Sequence, residues 1–371
     1  MKRVVVVGGG IAGVAAAAHL APRTQVTLLE MESTLAYHTT GRSAATFLIN
    51  YGGKGARPLA AASQSFYENP PPASTDSPLL SPRGALWIAT QKQISHLESL
   101  AAAGRASGAG SVMVDAQEVR RIVPALDPAY IAGGLWETSA RDIDVAGLHQ
   151  AFVRIARRHE AEIRTGSPVV GIVTQGTGWS VRTHDAEIDC DVIINAAGAW
   201  GDRIATLAGV DPIGLVPMRR TAFMVPGDEA YSDWPLVVDV DEGFYFRPDG
   251  TQLLCSLAEE IPADPGDPRP NMEDVALAID RINTATTLGI RTVNSQWTGL
   301  RTFVPDRDLV IGEDPTAPGF FWLVGQGGIG IMTSPGYGEL IASQVLEDET
   351  PANLLDAGVD PGRTLPDRFR T

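Results

Sequence analysis

Near the amino end, Val4-Val5-Val6-Val7-Gly8-Gly9-Gly10-Ile11-Ala12-Gly13 sets three glycines where each would do a different job. Gly8 permits a tight turn, Gly10 lets backbone approach a pyrophosphate, and Gly13 lets a helix pack closely on the preceding strand. The small-residue run Val14 to Leu20 predicts that helix, whose free N–H groups and positive dipole end would face phosphates. Val26-Thr27-Leu28-Leu29 predicts a second strand, and Glu30 follows twenty residues after Gly10, where a carboxylate meets a ribose 2′-OH. A dinucleotide site is therefore expected at Gly8, Gly10, Ile11, Ala12, Gly13, Glu30 and Met31. The acid disfavours NADP; these residues leave NAD and FAD open.

Far along the chain, Trp297-Thr298-Gly299-Leu300-Arg301-Thr302-Phe303 sets one guanidinium among apolar neighbours. Its planar fork can grip a carboxylate through two parallel hydrogen bonds, which lysine does not match. A partly buried arginine is either paired with a structural acid or waiting for a ligand, and the residues alone leave both open. A second glycine turn, Gly325 to Gly330, runs into a helix expected over 336–346.

The formal charge of −15 argues against a nucleic acid or an anionic membrane as partner. The two cysteines, Cys190 and Cys255, form no CxxC or zinc pattern, so no metal site is expected and a reducing compartment is. No apolar run reaches about 18 residues, so no membrane span is expected. The first strand begins at Val4, leaving no room ahead of it for a signal peptide, and the expected location is cytoplasmic.

These residues need elements to hold them. An amphipathic helix is expected over 147–163, with Leu148, Phe152, Ile155 and Ala156 on one face and Arg154, Arg157, Arg158 and Glu160 on the other. Three short strands (169–173, 179–183 and 187–189) lead to a buried strand at Asp191 to Asn195, closed by Ala196-Ala197-Gly198. A β-rich block spans 221–256, between proline-rich loops at 69–82 and 262–270, and a helix is expected over 273–286. An ordinary NAD dehydrogenase would continue in regular βαβ units. This chain breaks after its second strand, and such an interrupted domain fits the longer FAD better.

Six further motifs occur in order: Tyr37 to Ala45 (YHTTGRSAA), Leu79 to Arg83 (LLSPR), Asp142-Ile143-Asp144, Asn195 to Trp200 (NAAGAW), Gly299-Leu300-Arg301 and Gln326 to Ile331 (QGGIGI). With the glycine turn they make the chain resemble, over nearly its whole length, the D-amino-acid oxidase superfamily of flavoenzymes, bacterial D-arginine dehydrogenases most closely. The resemblance implies an α/β fold: an interrupted Rossmann-like FAD-binding domain (1–46, 143–215 and 305–371) and an α+β substrate domain with a mixed or antiparallel sheet (47–142 and 216–304). It implies that Thr39, Thr40, Gly41, Arg42, Ser43, Ala44, Ala45 and Thr46 line the flavin, with Arg42 supplying charge. Val169 would face adenine; Ala197, Gly198 and Trp200 would close on the cofactor. Gly327, Gly328, Ile329, Gly330, Ile331 and Thr333 would bring backbone N–H groups to the pyrimidine edge of the ring. No cysteine lies near Arg301, where relatives with covalent flavin carry one, so the FAD is expected to be noncovalent.

By the same resemblance Arg301, Tyr245 and Tyr51 are the catalytic set, the phenols adding hydrogen bonds to the substrate carboxylate. Arg220 is a candidate for the pocket, although an exposed pair with Arg219 at a strand end is the plainer expectation. In the arginine-specific relatives, a glutamate after the Leu-Leu-Ser-Pro-Arg stretch grips the substrate guanidinium. A gap-free match sets Ala85 there, while Thr46 and Leu48 replace a histidine and a threonine. Poor activity on D-arginine and D-lysine follows, with a preference for uncharged or apolar side chains. The implied reaction is hydride transfer from Cα of a D-amino acid to N5 of FAD. The imino acid then hydrolyses to a 2-oxo acid and ammonia, with O2 or a quinone as final electron acceptor. Oxidation of a secondary amine such as sarcosine or proline is the alternative within enzymes, and a non-catalytic flavin-binding subunit the alternative outside them.

Overall fold

In the computed structural model, which describes residues 1–49, 51–106 and 110–370, the four valines lie inside a six-stranded sheet covered on both faces. Its strand order is Val310–Glu313, Phe320–Val324, Val192–Asn195, Arg3–Val7, Gln25–Leu29, Glu162–Arg164. All neighbours are parallel except the first two strands, which form an antiparallel pair.

The alternation of a strand explains why four β-branched residues in a row suit this place. Val4 and Val6 point into a cluster with Leu148, Phe152, Leu340 and Ile341, from the helices Val145–Arg158 and Ser334–Leu346. Val5 and Val7 point the other way, onto Trp179, Val181 and Cys190 of a three-stranded antiparallel sheet. Each such valine contributes about 1.5–3 kcal/mol by leaving water. The helix Ile11–Leu20 packs between the two other helices through alanines that have no exposed surface, so backbones approach closely.

The second sheet runs Ile261–Pro262, Val216–Pro226, Gln252–Ser256, Tyr245–Asp249, Leu236–Asp239, Ala85–Ala89, Gly133–Glu137, Ser111–Asp115. Strand Ser295–Phe303 pairs with the far side of Val216–Pro226 over nine residues, from Val216↔Phe303 to Met224↔Ser295. One pair, Leu236–Asp239 with Ala85–Ala89, is parallel; the others are antiparallel, so this sheet is mixed. The helix Met272–Ala285 covers one face through Val275, Ala278 and Ile282. The opposite face is left for the site.

Two elements differ from the sequence expectation. The helix expected over 147–163 ends at Arg158, where the polar run Arg157-Arg158-His159-Glu160 offers no apolar side chain to the core. Glu160 instead takes a left-handed turn (φ 62°) and the chain enters the edge strand Glu162–Arg164. The stretch between the first βαβ unit and that helix holds Ala85–Ala89 and Gly133–Glu137, two strands of the second sheet. Among the described residues, no helix is long and apolar enough to cross a membrane.

Candidate active site

Gly8 and Gly13 build the first half of the site. A Cβ on Gly13 would stand 1.9 Å from the Gly8 carbonyl oxygen, so only glycine lets the helix start this close to the strand. Gly10 precedes the helix without a side-chain cap, which leaves first-turn N–H groups facing the cavity. Thr40 accepts from the Ile11 N–H at 3.0 Å and carries a hydroxyl proton with no acceptor among the described residues. Glu30, 8% exposed, accepts from the Gly9 N–H at 2.7 Å and the Glu32 N–H at 2.8 Å. Those two bonds fix its carboxylate at the end of the second strand, with lone pairs left for a ribose hydroxyl. His149 donates from Nε2 to the Gly9 carbonyl at 3.0 Å, and burial lowers its pKa, so a neutral imidazole holds the loop.

One long cavity runs from this loop. Gly8, Gly10, Ile11, Ala12, Glu30, Met31, Thr39, Thr40, Arg42, Ser43, Ala44, Ala45, Val169, Ala197, Gly198, Trp200, Gly327, Gly328, Gly330 and Ile331 line it, as does Arg301 at its far end. An FAD fits such a wall: bare glycine backbone and a helix N-terminus for phosphate, a fixed carboxylate for ribose, and a turn of small residues for the ring.

Several expected lining residues lie elsewhere. Gly41 is off the cavity, in a turn where a Cβ would come 2.4 Å from the Ala36 carbonyl oxygen. Gly13 serves the strand contact instead. Ile329 packs with the core, and its N–H donates to the Gln326 carbonyl; the Gly327 N–H donates to that of Thr302. Those two N–H groups are therefore not free for a ring. Thr333 is buried, its hydroxyl donating to the Ile329 carbonyl.

Arg42 lines the cavity, but its guanidinium is bonded away from it. Nη2 lies 2.5 Å from Asp267, in the second proline-rich loop, and Nη1 donates to the Thr298 carbonyl at 2.8 Å. Its charge serves to tie this segment to the second sheet, where the Trp297 indole returns a bond to the Arg42 carbonyl at 2.9 Å. The Thr39 and Ser43 hydroxyls also donate internally, to the carbonyls of Leu300 and Thr39.

At its far end the cavity opens into a smaller one, and Ala44, Ala45, Arg220, Tyr245, Arg301, Gly328 and Ile331 line both. Arg301 enters from Ser295–Phe303 and has no carboxylate within ion-pair distance among the described residues. Its one side-chain contact is the Tyr51 hydroxyl, 3.4 Å from Nη1. Burial opposes its charge, yet the oxygens of Tyr51 and Tyr245 hold its pKa above the ordinary value. Glu242 adds to this from further away, so of the two possibilities left open by the sequence a structural acid in direct contact is not found among the described residues.

Arg220 is a correction. It is buried within Val216–Pro226 rather than exposed at a strand end, and it lines both cavities. Burial and the like charge of Arg301 lower its pKa. Two guanidiniums that repel each other across a cavity make a strong place for an anion.

Thr46, Leu48 and Tyr51 line the smaller cavity, while Ala85 does not. Ala85 is fully buried in the core beside Leu48; Trp87, two residues on along the same strand face, reaches the cavity. Arg247, Glu242, Leu236, Val238, Ala258 and Met332 complete the wall and were not expected. Period-two alternation from Tyr245 and from Ala85 was the signal available for Arg247 and Trp87.

Comparison with known proteins gives the family and the fold. A sequence profile of the FAD-dependent oxidoreductase family matches residues 3–344. The human mitochondrial sarcosine dehydrogenase is 25% identical over 283 residues, 71% of this chain but 30% of that protein, so this chain matches less than a third of that relative's length. Among solved structures, glycine oxidase from Geobacillus kaustophilus superposes with a TM-score of 0.83 at 22% identity, covering 94% of this chain and 96% of that one. L-proline dehydrogenase from P. horikoshii superposes with a TM-score of 0.84 at 20% identity, covering 98% and 97%. At these identities the structural likeness is one of fold.

Proposed function

The chain belongs to the FAD-dependent oxidoreductase family, and from that premise we propose that it oxidises an α-amino acid of D configuration to the imino acid, which water converts to a 2-oxo acid and ammonia. The observation that carries this reading is Arg301: a guanidinium without an acid partner among the described residues, flanked by Tyr51 and Tyr245, where the dinucleotide cavity meets a small pocket. Bound FAD supplies a two-electron acceptor for the substrate's C–H bond. The protein does the rest by position. Arg301 and Arg220 hold the carboxylate, a phenol hydroxyl adds a hydrogen bond, and Cα is left facing the long cavity. Such alignment supplies about 7–11 kcal/mol of a barrier. The amine loses its proton before the C–H bond breaks, and no side-chain base is assigned to take it.

FAD is held noncovalently in this reading, since neither Cys190 nor Cys255 lines either cavity. The final electron acceptor is O2 or a quinone. The D configuration rests on the sequence motifs, and a secondary amino acid is the second reading. What favours the second is the likeness to a protein named sarcosine dehydrogenase and to one named L-proline dehydrogenase. A flavin-binding subunit without turnover has no use for an unpaired guanidinium in this place.

The test is anaerobic mixing of the holoprotein with matched D- and L-amino acids, sarcosine and proline, read as loss of flavin absorbance. Reduction by D-amino acids ahead of the rest is the expected result. A lead for sarcosine or proline selects the second reading, and no reduction by any of them overturns the first.

A further inference from the structure

Two hydrogen-bond donors on residues of the small pocket's side-chain end have no acceptor among the described residues. Arg247, two residues beyond Tyr245 and on the same face of the strand, lies about 7 Å further from the flavin end. Its Nη1 bonds Asp142, and Asp142 also receives Arg83 Nε at 2.7 Å, so one carboxylate serves two guanidiniums. Its Nε is buried with no partner among the described residues. Asp142 pairs in register with Thr46, another wall residue, which fixes the Arg247 guanidinium at that end.

Trp87 repeats the pattern. It is 3% exposed, and its indole N–H has no partner among the described residues. The register Trp87↔Val238↔Tyr245 sets it in one row with the tyrosine, across three strands of the pocket floor. A buried donor left unpaired costs about 1–3 kcal/mol. Both donors are enclosed atoms of residues that line one cavity, so their hydrogen-bonding capacity at that end is not met by the described residues.

The charges agree. Glu260 likewise serves both Arg220 and Arg307, and among the described residues Arg301 has no carboxylate within ion-pair distance, Glu242 acting on it only from further away. Around the pocket, the five guanidiniums of Arg83, Arg220, Arg247, Arg301 and Arg307 face the carboxylates of Asp142, Glu242, Glu259 and Glu260, in a chain whose formal charge is −15. Glu242 is exposed, in a left-handed turn (φ 54°) on the wall, where water and salt weaken its field.

We infer that Arg247 and Trp87 form a subsite for a second carboxylate, so that the preferred substrate is a dicarboxylic α-amino acid. This rests on the amino-acid reading of the site, with Arg301 and Arg220 on the α-carboxylate. It departs from the expected preference for uncharged or apolar side chains, whose argument ran through Ala85, a core residue, and through Thr46 and Leu48, which line the pocket.

The test titrates the holoprotein with three unreactive five-carbon ligands, glutarate, pentanoate and 5-aminopentanoate, following the perturbation of the flavin spectrum. Glutarate is expected to bind at least tenfold more tightly than pentanoate. In Arg247→Met that advantage should vanish, with pentanoate affinity kept within about threefold, and Arg247→Lys should retain part of it. The wild-type ratio needs no variant, so a misfolded substitution does not spare the inference. Equal binding of glutarate and pentanoate overturns the subsite alone. Tightest binding of 5-aminopentanoate overturns it in favour of a cation drawn to Glu242. No perturbation by any of the three overturns the carboxylate clamp and the subsite with it.

Discussion

Arg301 occupies the space that a side chain on residue 328 would need: a Cβ there would stand 2.6 Å from Nη1 and 2.8 Å from Cζ. The glycine turn after the last central strand thus sets the direction of the guanidinium as well as the wall of the cofactor cavity. In Gly328→Ala the far end of a flexible side chain must move, which the fold tolerates. Its melting temperature should stay within a few degrees while kcat/KM falls about a hundredfold, since small displacements of a positioning group carry costs of that order. Wild-type turnover in this variant would mean that the guanidinium direction is irrelevant.

In the proposed cofactor site Glu30 holds the Gly9 N–H and has oxygens left for a ribose. Glu30→Gln keeps the shape but loses the charge-assisted acceptor, worth about 1.5–3 kcal/mol. Reconstitution of apoprotein should show FAD affinity lowered about tenfold or more, with the rate of flavin reduction by substrate nearly unchanged. An unaltered affinity would remove Glu30 from the cofactor site.

His19 makes stability depend on acid. Burial lowers its pKa from 6.5 to about 4, and its Nε2 has no partner among the described residues. The unfolded chain takes up this proton near pH 6.5 and the folded chain does not until about pH 4. Between those values the unfolded state binds more protons, so stability falls as pH falls. The contribution is complete above pH 6.5 and amounts to about 1–3 kcal/mol. Urea unfolding at pH 7 and pH 4.5 should show a smaller acid loss in His19→Gln than in the wild type. Some loss should remain, because burial also lowers the pKa of His149. Identical losses would contradict the assignment to His19.

The amino-terminal unit was readable because its signals are local. Four valines, three glycines and Glu30 each act within a turn or two of their neighbours, and the structure places them in one strand–helix–strand unit. Arg301 was readable as a residue type, but whether an acid sat beside it depends on chains hundreds of residues apart. Arg42 shows the same difficulty from the other side. Its motif points to phosphate, yet Asp267, more than two hundred residues on, holds its charge. Ala85 came from a gap-free match and lies in the core; Trp87, two residues on along the same strand face, lines the pocket instead. Arg220 reads as a polar pair at the start of a strand only until Ser295–Phe303 is laid alongside and buries it.

The most direct measurement is the affinity of the holoprotein for a simple carboxylate, pentanoate, in the wild type and in Arg301→Met. Truncating one member of a buried charge pair costs about 2–5 kcal/mol. The variant should therefore keep its FAD and bind pentanoate at least about thirtyfold more weakly. Equal affinity in the two proteins would show that the acid group is held elsewhere, and that Arg301 is not the clamp.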